Sequence, residues 1–236
     1  SGGDTSAPMT GTLTELALAA AIFVASHILV SGTRLRDRLV HTLGERPFQA
    51  AFSALSLFLL WWLIQAYQGA PHVGLWETGV GVRHGVLAVM FVACVFIAAG
   101  FSPTSPTGVD LGGGLKAPAG IIKVTRHPVM WGIGLWALVH MAANGDAASV
   151  FLFGPMFVLA FSGAYFIDVK KRRLMRDEWA RFAAETSFIP FAALIGGRTR
   201  LSAREIGVWR PAAGLALFAA LYLAHEPVIG VSPLGL

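Results

Sequence analysis

The stretch VFLFGPMFVLAFSGAYFIDVKKRR, Val150 to Arg173, decides the fold. Its first 18 residues, Val150 to Ile167, carry no charge, and the cations Lys170, Lys171, Arg172 and Arg173 follow almost at once. An apolar run of that length is what a helix needs to cross a hydrocarbon layer. Cations at its end belong among the headgroups. The same signature recurs outward in both directions, from about Leu13 to Val30, Phe48 to Ala66, Val86 to Phe101, Val129 to Met141, and Gly207 to Leu223. The third and fourth of the resulting six segments are short and need polar ends, Arg83-His84 for one and Thr125-Arg126-His127 for the other. The expectation is an all-α, polytopic membrane helix bundle of about six transmembrane helices, with a lipid bilayer as its solvent.

Composition agrees. Of 236 residues, 55% are hydrophobic and only 13% charged, about half the charge of a soluble domain. The small, polar residues 1–8 precede Met9 and read as an appended remnant, which leaves 9–236 as a single transmembrane domain. The one cysteine, Cys94, lies inside an apolar run and excludes an intramolecular disulfide or a thiolate zinc cage.

Charge placement tests the span count independently. Arg34, Arg36, Arg38 and Arg46 fall between the first two segments, and Lys116, Lys123 and Arg126 between the third and fourth. The remaining cations lie between the fifth and sixth or just inside the last, so that of 18 Lys and Arg only Arg83 falls on the other side. Basic residues collect in the cytoplasm, which puts the N- and C-termini on the outer side. The pI near 9.9 is then topology, with no nucleic-acid partner implied. On the cytoplasmic side, Ile167 to Phe182 reads as an interfacial or helical extension meeting anionic headgroups. Ser102 to Gly120, rich in Pro and Gly, reads as a flexible loop that lies over a site.

Histidine carries most of the functional signal. Of seven, His41 and His72 fall in predicted loops, while His27, His84, His127, His140 and His225 lie in or at the ends of apolar segments. An ionisable group in lipid is costly enough to need a reason, and neutral imidazoles from facing helices are the usual axial ligands of heme iron. His127 and His140, 13 residues apart, point to nearly opposite sides of one helix and cannot serve one heme together. By depth, His27 pairs with His127, or His140 with His84 or His225. Trp131 and Trp136 flank the candidate cavity, Arg126 is placed to meet a heme propionate, and Asn144 lies one turn beyond His140.

Around the fourth segment the sequence becomes recognisable. TRHPVMWGIGLWALVHMAANGD (Thr125 to Asp146), ASHILVSGTRLRDRLV (Ala25 to Val40), LGERPFQAAFSALSL (Leu43 to Leu57) and ETSFIPFAALIGGR (Glu185 to Arg198) resemble the NnrU family of bacterial membrane proteins, in order and from Met9 onward. NnrU proteins are similar to zeta-carotene isomerase, a heme b enzyme with a His in its first span, an RHP, a His 13 residues on, and a His within a YLAH near the end. Here those are His27, His127, His140 and His225. The resemblance implies heme b with iron held by His27 and His140, a bacterial inner (cytoplasmic) membrane, a hydrophobic small-molecule substrate, and either isomerase-like chemistry or a role in nitrogen-oxide metabolism (denitrification). A non-enzymatic heme or nitric-oxide sensor or assembly factor is the second reading. The third is an isoprenylcysteine-type membrane methyltransferase, which the RHP also resembles. Against that pattern, Met130 stands where a Tyr is favoured, and Asp168 is followed by cations instead of belonging to an acidic pair.

Overall fold

The computed structural model describes residues 11–101 and 115–233, and its ordered elements are all helices. Residues 1–8, read from sequence as an appended remnant, and most of the loop read at Ser102 to Gly120 lie outside the described residues. Five helices are long and apolar enough to cross a membrane: α1 (Leu13–Ser31), α3 (Glu45–Gly69), α4 (Val80–Gly100), α7 (Ala147–Glu185) and α10 (Trp209–Ile229). A sixth apolar helix, α6 (Pro128–Asn144), has 17 residues, at the lower edge of a spanning length. Short helices α2 (Leu35–Leu43), α5 (Ile121–Val124), α8 (Ala192–Ile195) and α9 (Ala203–Ile206) join them.

Local chemistry explains the boundaries. Thr12 caps α1 by accepting from the Glu15 N–H at 3.1 Å. α6 opens with Pro128 at its first position, where the missing N–H costs nothing. It closes at Gly145, whose φ of +67° is the left-handed cap conformation. Asp146 then caps α7, accepting from Ser149 N at 3.0 Å and from Ser149 Oγ at 2.6 Å. α7 runs far beyond the predicted segment because the charged stretch continues the helix. At Arg176 the backbone takes φ +33°, ψ −97°, and the helix axis breaks. α2 was expected as loop. It is helical and holds His41 on its exposed side, not in a turn.

The long helices pack as a row: α3 and α1 against α7, α7 against α6, α6 against α4, and α4 against α10. With lipid on one side there is no hydrophobic drive between helices, so close approach matters. A Cβ on Gly132 of α6 would stand 2.8 Å from the Ala93 carbonyl oxygen of α4. One on Gly214, the buried residue of α10, would stand 2.6 Å from Val95 Cα. Both glycines therefore seat their helices on α4.

The two ends of the row differ. At the far end, Gly11 N–H donates to Gly69 O at 3.1 Å, and Leu75 N–H to Gly145 O at 2.7 Å. The first ties the residues before α1 to the end of α3, and the second ties the loop after α3 over the α6–α7 turn. The basic end gathers α2, α5, α8, α9 and the tail of α7, where Trp179 and Phe182 are buried against Ile121, Ile122 and Phe96.

Candidate functional site

The RHP element stands at the basic end as a closed network. His127, fully buried at the N-cap of α6, meets Asp168 of α7 with Nε2 at 2.5 Å from Oδ1. Arg126 Nε donates to the other carboxylate oxygen at 2.9 Å, and its guanidinium lies 5.5 Å from the Trp179 ring centroid. The segment after α7 folds back to close the site. Arg126 N–H donates to Ser187 O at 3.0 Å, Thr125 Oγ1 to Phe188 O at 2.8 Å, and Trp131 Nε1 to Phe188 O at 2.8 Å. Arg126 and Trp131 are thus engaged with protein partners. His127 Nδ1 is buried with no hydrogen-bond partner among the described residues. Asp168 was not singled out as a site residue from sequence. Its signal was an acid directly after an uncharged run of spanning length, a position where a carboxylate needs a partner.

Nearby, Lys123 Nζ lies 2.7 Å from Glu205 Oε2, a half-exposed pair between α5 and α9. Its hydrogen bond to the Glu205 carboxylate is the main cause holding that group below the usual carboxylate range.

At the far end three predicted histidines stand at similar depth. His140 and His225 each sit one turn before the end of α6 and α10, and His84 one turn after the start of α4. The rings of His140 and His225 are 6.4 Å apart between centroids and 26° from parallel. Phe153 of α7 lies 4.8 Å from the His140 ring, and Trp136 lies 5.2 Å from it. His140 Nδ1 donates to the Trp136 carbonyl at 2.8 Å, and His225 Nδ1 to the Val231 carbonyl at 2.6 Å. A carbonyl only accepts, so Nδ1 carries the proton in both rings and Nε2 keeps its lone pair. That tautomer is the one a metal-binding imidazole uses. Asn144, expected near His140, instead donates to Ser149 Oγ at 2.9 Å, in a cluster with Asp146 and Tyr67.

His27 has the same tautomer, its Nδ1 donating to the Phe23 carbonyl at 2.7 Å. It belongs to another place. It lies one turn from the basic end of α1, against Phe23 and Phe52. Counted along the helices, it sits on the order of 12 Å in depth from His140. The structure brings together His140 and His225, the outer pair that depth allowed, and does not bring His27 to His140.

Comparison with known proteins gives the lineage. The sequence profile described as NnrU protein matches residues 15–233. The chain belongs to the NnrU family. NnrU relatives of similar sequence include the chloroplastic 15-cis-zeta-carotene isomerases of Arabidopsis thaliana, 27% identical over 92% of this chain, and of Zea mays, 26% identical over 71%. This NnrU protein spans 62% and 47% of the lengths of those two relatives. No solved structure matches it.

Proposed function

We propose that this NnrU protein holds heme b near the far end of the bundle and uses it in isomerase-like chemistry on a hydrophobic small molecule. What supports this reading is the pairing of His140 with His225: two imidazoles on different helices, each with Nδ1–H fixed to a backbone carbonyl and Nε2 left as donor. Two such donors suit an iron whose other four positions a porphyrin supplies. The surrounding Phe153 and Trp136 rings suit a flat apolar ligand. The donor chemistry therefore fits the group, with His140 the first ligand and His225 the second. His27, equally prepared by its tautomer, stands in a separate aromatic cluster.

When bound, heme iron would supply the chemistry that polarises a conjugated double bond. The chain's own part is to orient the ligands and keep water out. The Trp136 carbonyl fixes the His140 ring and its tautomer, so that Nε2 is the atom presented as a ligand. His225 hangs on α10, which packs on α4 through Gly214 against Val95 and Phe218 against Phe91, and its Nδ1 partner lies beyond the helix end. Of the two residues that would hold the group, His225 is the less tightly framed, since its partner Val231 lies outside the helices.

The name of the plant relatives supplies the reaction class, a cis double-bond isomerisation in a chain 27% identical. Detergent-purified protein should yield heme b in a pyridine hemochromogen assay, at one heme per chain or a fixed fraction of it. Protein that is colourless after expression with ample heme, and that takes up no added hemin, would refute the reading.

A further inference from the structure

The basic end carries a feature independent of the histidines. α2 follows α1 after a turn of three residues, which Thr33 staples by donating Oγ1 to Leu29 O and accepting from Leu35 N–H at 3.1 Å. Gly32 makes that turn possible, since a Cβ there would stand 2.9 Å from the Phe166 ring of α7. α2 therefore lies where α1 leaves the hydrocarbon.

At 100° per residue, its apolar residues Leu35, Leu39, Val40 and Leu43 fall in one arc. Arg34, Asp37, Arg38, His41 and Thr42 fall in the opposite arc; Arg36 alone breaks the pattern, falling inside the apolar arc between Leu43 and Val40, where it pairs with Glu45 and lies over the Phe48 ring. Protein covers the apolar arc only in part: Leu39 and Val40 are half-buried, and the two ends of the helix are open. α2 has no buried residue, and Leu35 and Leu43 are 42% and 51% exposed. A segregated helix at this depth lies in the interface with its apolar arc among acyl chains.

The polar arc lines an open cleft of about 670 Å³ formed by Arg34, Asp37, Arg38, His41 and Thr42. Arg34 and Arg38 are one helical turn apart and reach it from the same side. The acids close by are already matched. Asp37 lies 3.6 Å from Arg173 of α7, and Glu45 lies 2.6 Å from Arg36. The cations Lys170 to Arg172 at the same end add to the excess of positive charge.

We propose that this cleft is a binding site for the headgroup of an anionic phospholipid, with α2 inserted flat in the leaflet at the basic end. Two guanidinium forks over one cleft match the oxygens of a phosphodiester, Thr42 adds a hydroxyl, and the exposed leucines on the opposite arc hold α2 in the surrounding acyl chains of that leaflet. Charge and apolar arc point to a lipid surface together, which a free anion would not satisfy.

The test uses the full chain in micelles of zwitterionic phosphatidylcholine, titrated with phosphatidylglycerol, with bound lipid read by native mass spectrometry. The wild type should retain phosphatidylglycerol in preference to phosphatidylcholine. The double variant Arg34→Gln/Arg38→Gln should lower that retention by roughly tenfold or more, the scale of removing two cations from an anionic surface. Each single variant, milder for folding, should lower it by part of that factor. Arg204→Gln, at the same end but outside the cleft, should leave it unchanged. Inorganic phosphate at equal concentration should not displace the lipid. The proposal is overturned if the wild type shows no preference, if the single variants both bind as the wild type does, or if free phosphate strips the lipid.

Discussion

At the scale of single residues, the most heavily committed side chain is Asp168. It is 5% exposed and serves Arg126 with one oxygen and His127 with the other. Asp168→Ala would leave a guanidinium and an imidazole buried without their acceptor. Breaking a buried pair from one side costs about 3–5 kcal/mol, so thermal unfolding in detergent should show a loss of that order. Glu205 behaves differently because its pair is half-exposed. Its carboxyl is held below the usual range by Lys123, so this stabilisation is complete above the ordinary carboxylate pKa. It is lost as pH falls through the lowered value. Protection factors of the α9 amides, corrected for the intrinsic pH dependence of exchange, should hold at neutral pH and fall in acid below the carboxylate range. The RHP residues could be placed from sequence, because Pro at the first turn and a polar entry mark a helix start. Their partner could not, because Asp168 lies 41 residues away from His127 and only the packing of α7 on α6 brings it there.

At the scale of elements, hydropathy located every long helix to within a few residues at the apolar centres and missed the ends. α3 was expected over Phe48 to Ala66 and runs Glu45–Gly69, and α10 was expected to stop at Leu223 and reaches Ile229. The excess is polar or amphipathic residues that continue a helix already nucleated in lipid. α2 was missed because its nine residues are charged and fall below a spanning window, although the arc pattern was present in the sequence. The seating of α10 is the element-scale feature that bears on function. It touches the row mainly through α4, with Gly214 against Val95. Gly214→Ile would push α10 from α4 and carry His225 away from His140. The expected outcome is a folded protein, helical by circular dichroism, whose His225-dependent spectral features are gone. A spectrum like the wild type's would show that the α10 contact does not position the ligand.

At the scale of the whole molecule, the row of helices has one end rich in cations and another nearly free of them. The gathering of Lys and Arg at one end of the helices was legible from sequence, since charge bias and hydropathy are summed over many residues and tolerate local error. Both termini should lie on the outer side, so a C-terminal phosphatase fusion should be active and a fluorescent protein that matures only in the cytoplasm should be dark. The reverse result would invert the bundle. Pairing among histidines was only partly legible. Depth along the chain allowed His140 with His225, and the resemblance implied His140 with His27. Which neighbour α6 acquires depends on the order of packing, which no local pattern encodes. The most direct measurement is the reduced absorption spectrum of four purified proteins: wild type, His27→Ala, His140→Ala and His225→Ala. A heme held by the far-end pair predicts a Soret band lost or strongly weakened in His140→Ala, shifted in His225→Ala, and unchanged in His27→Ala. A spectrum abolished by His27→Ala and untouched by His225→Ala would contradict that placement.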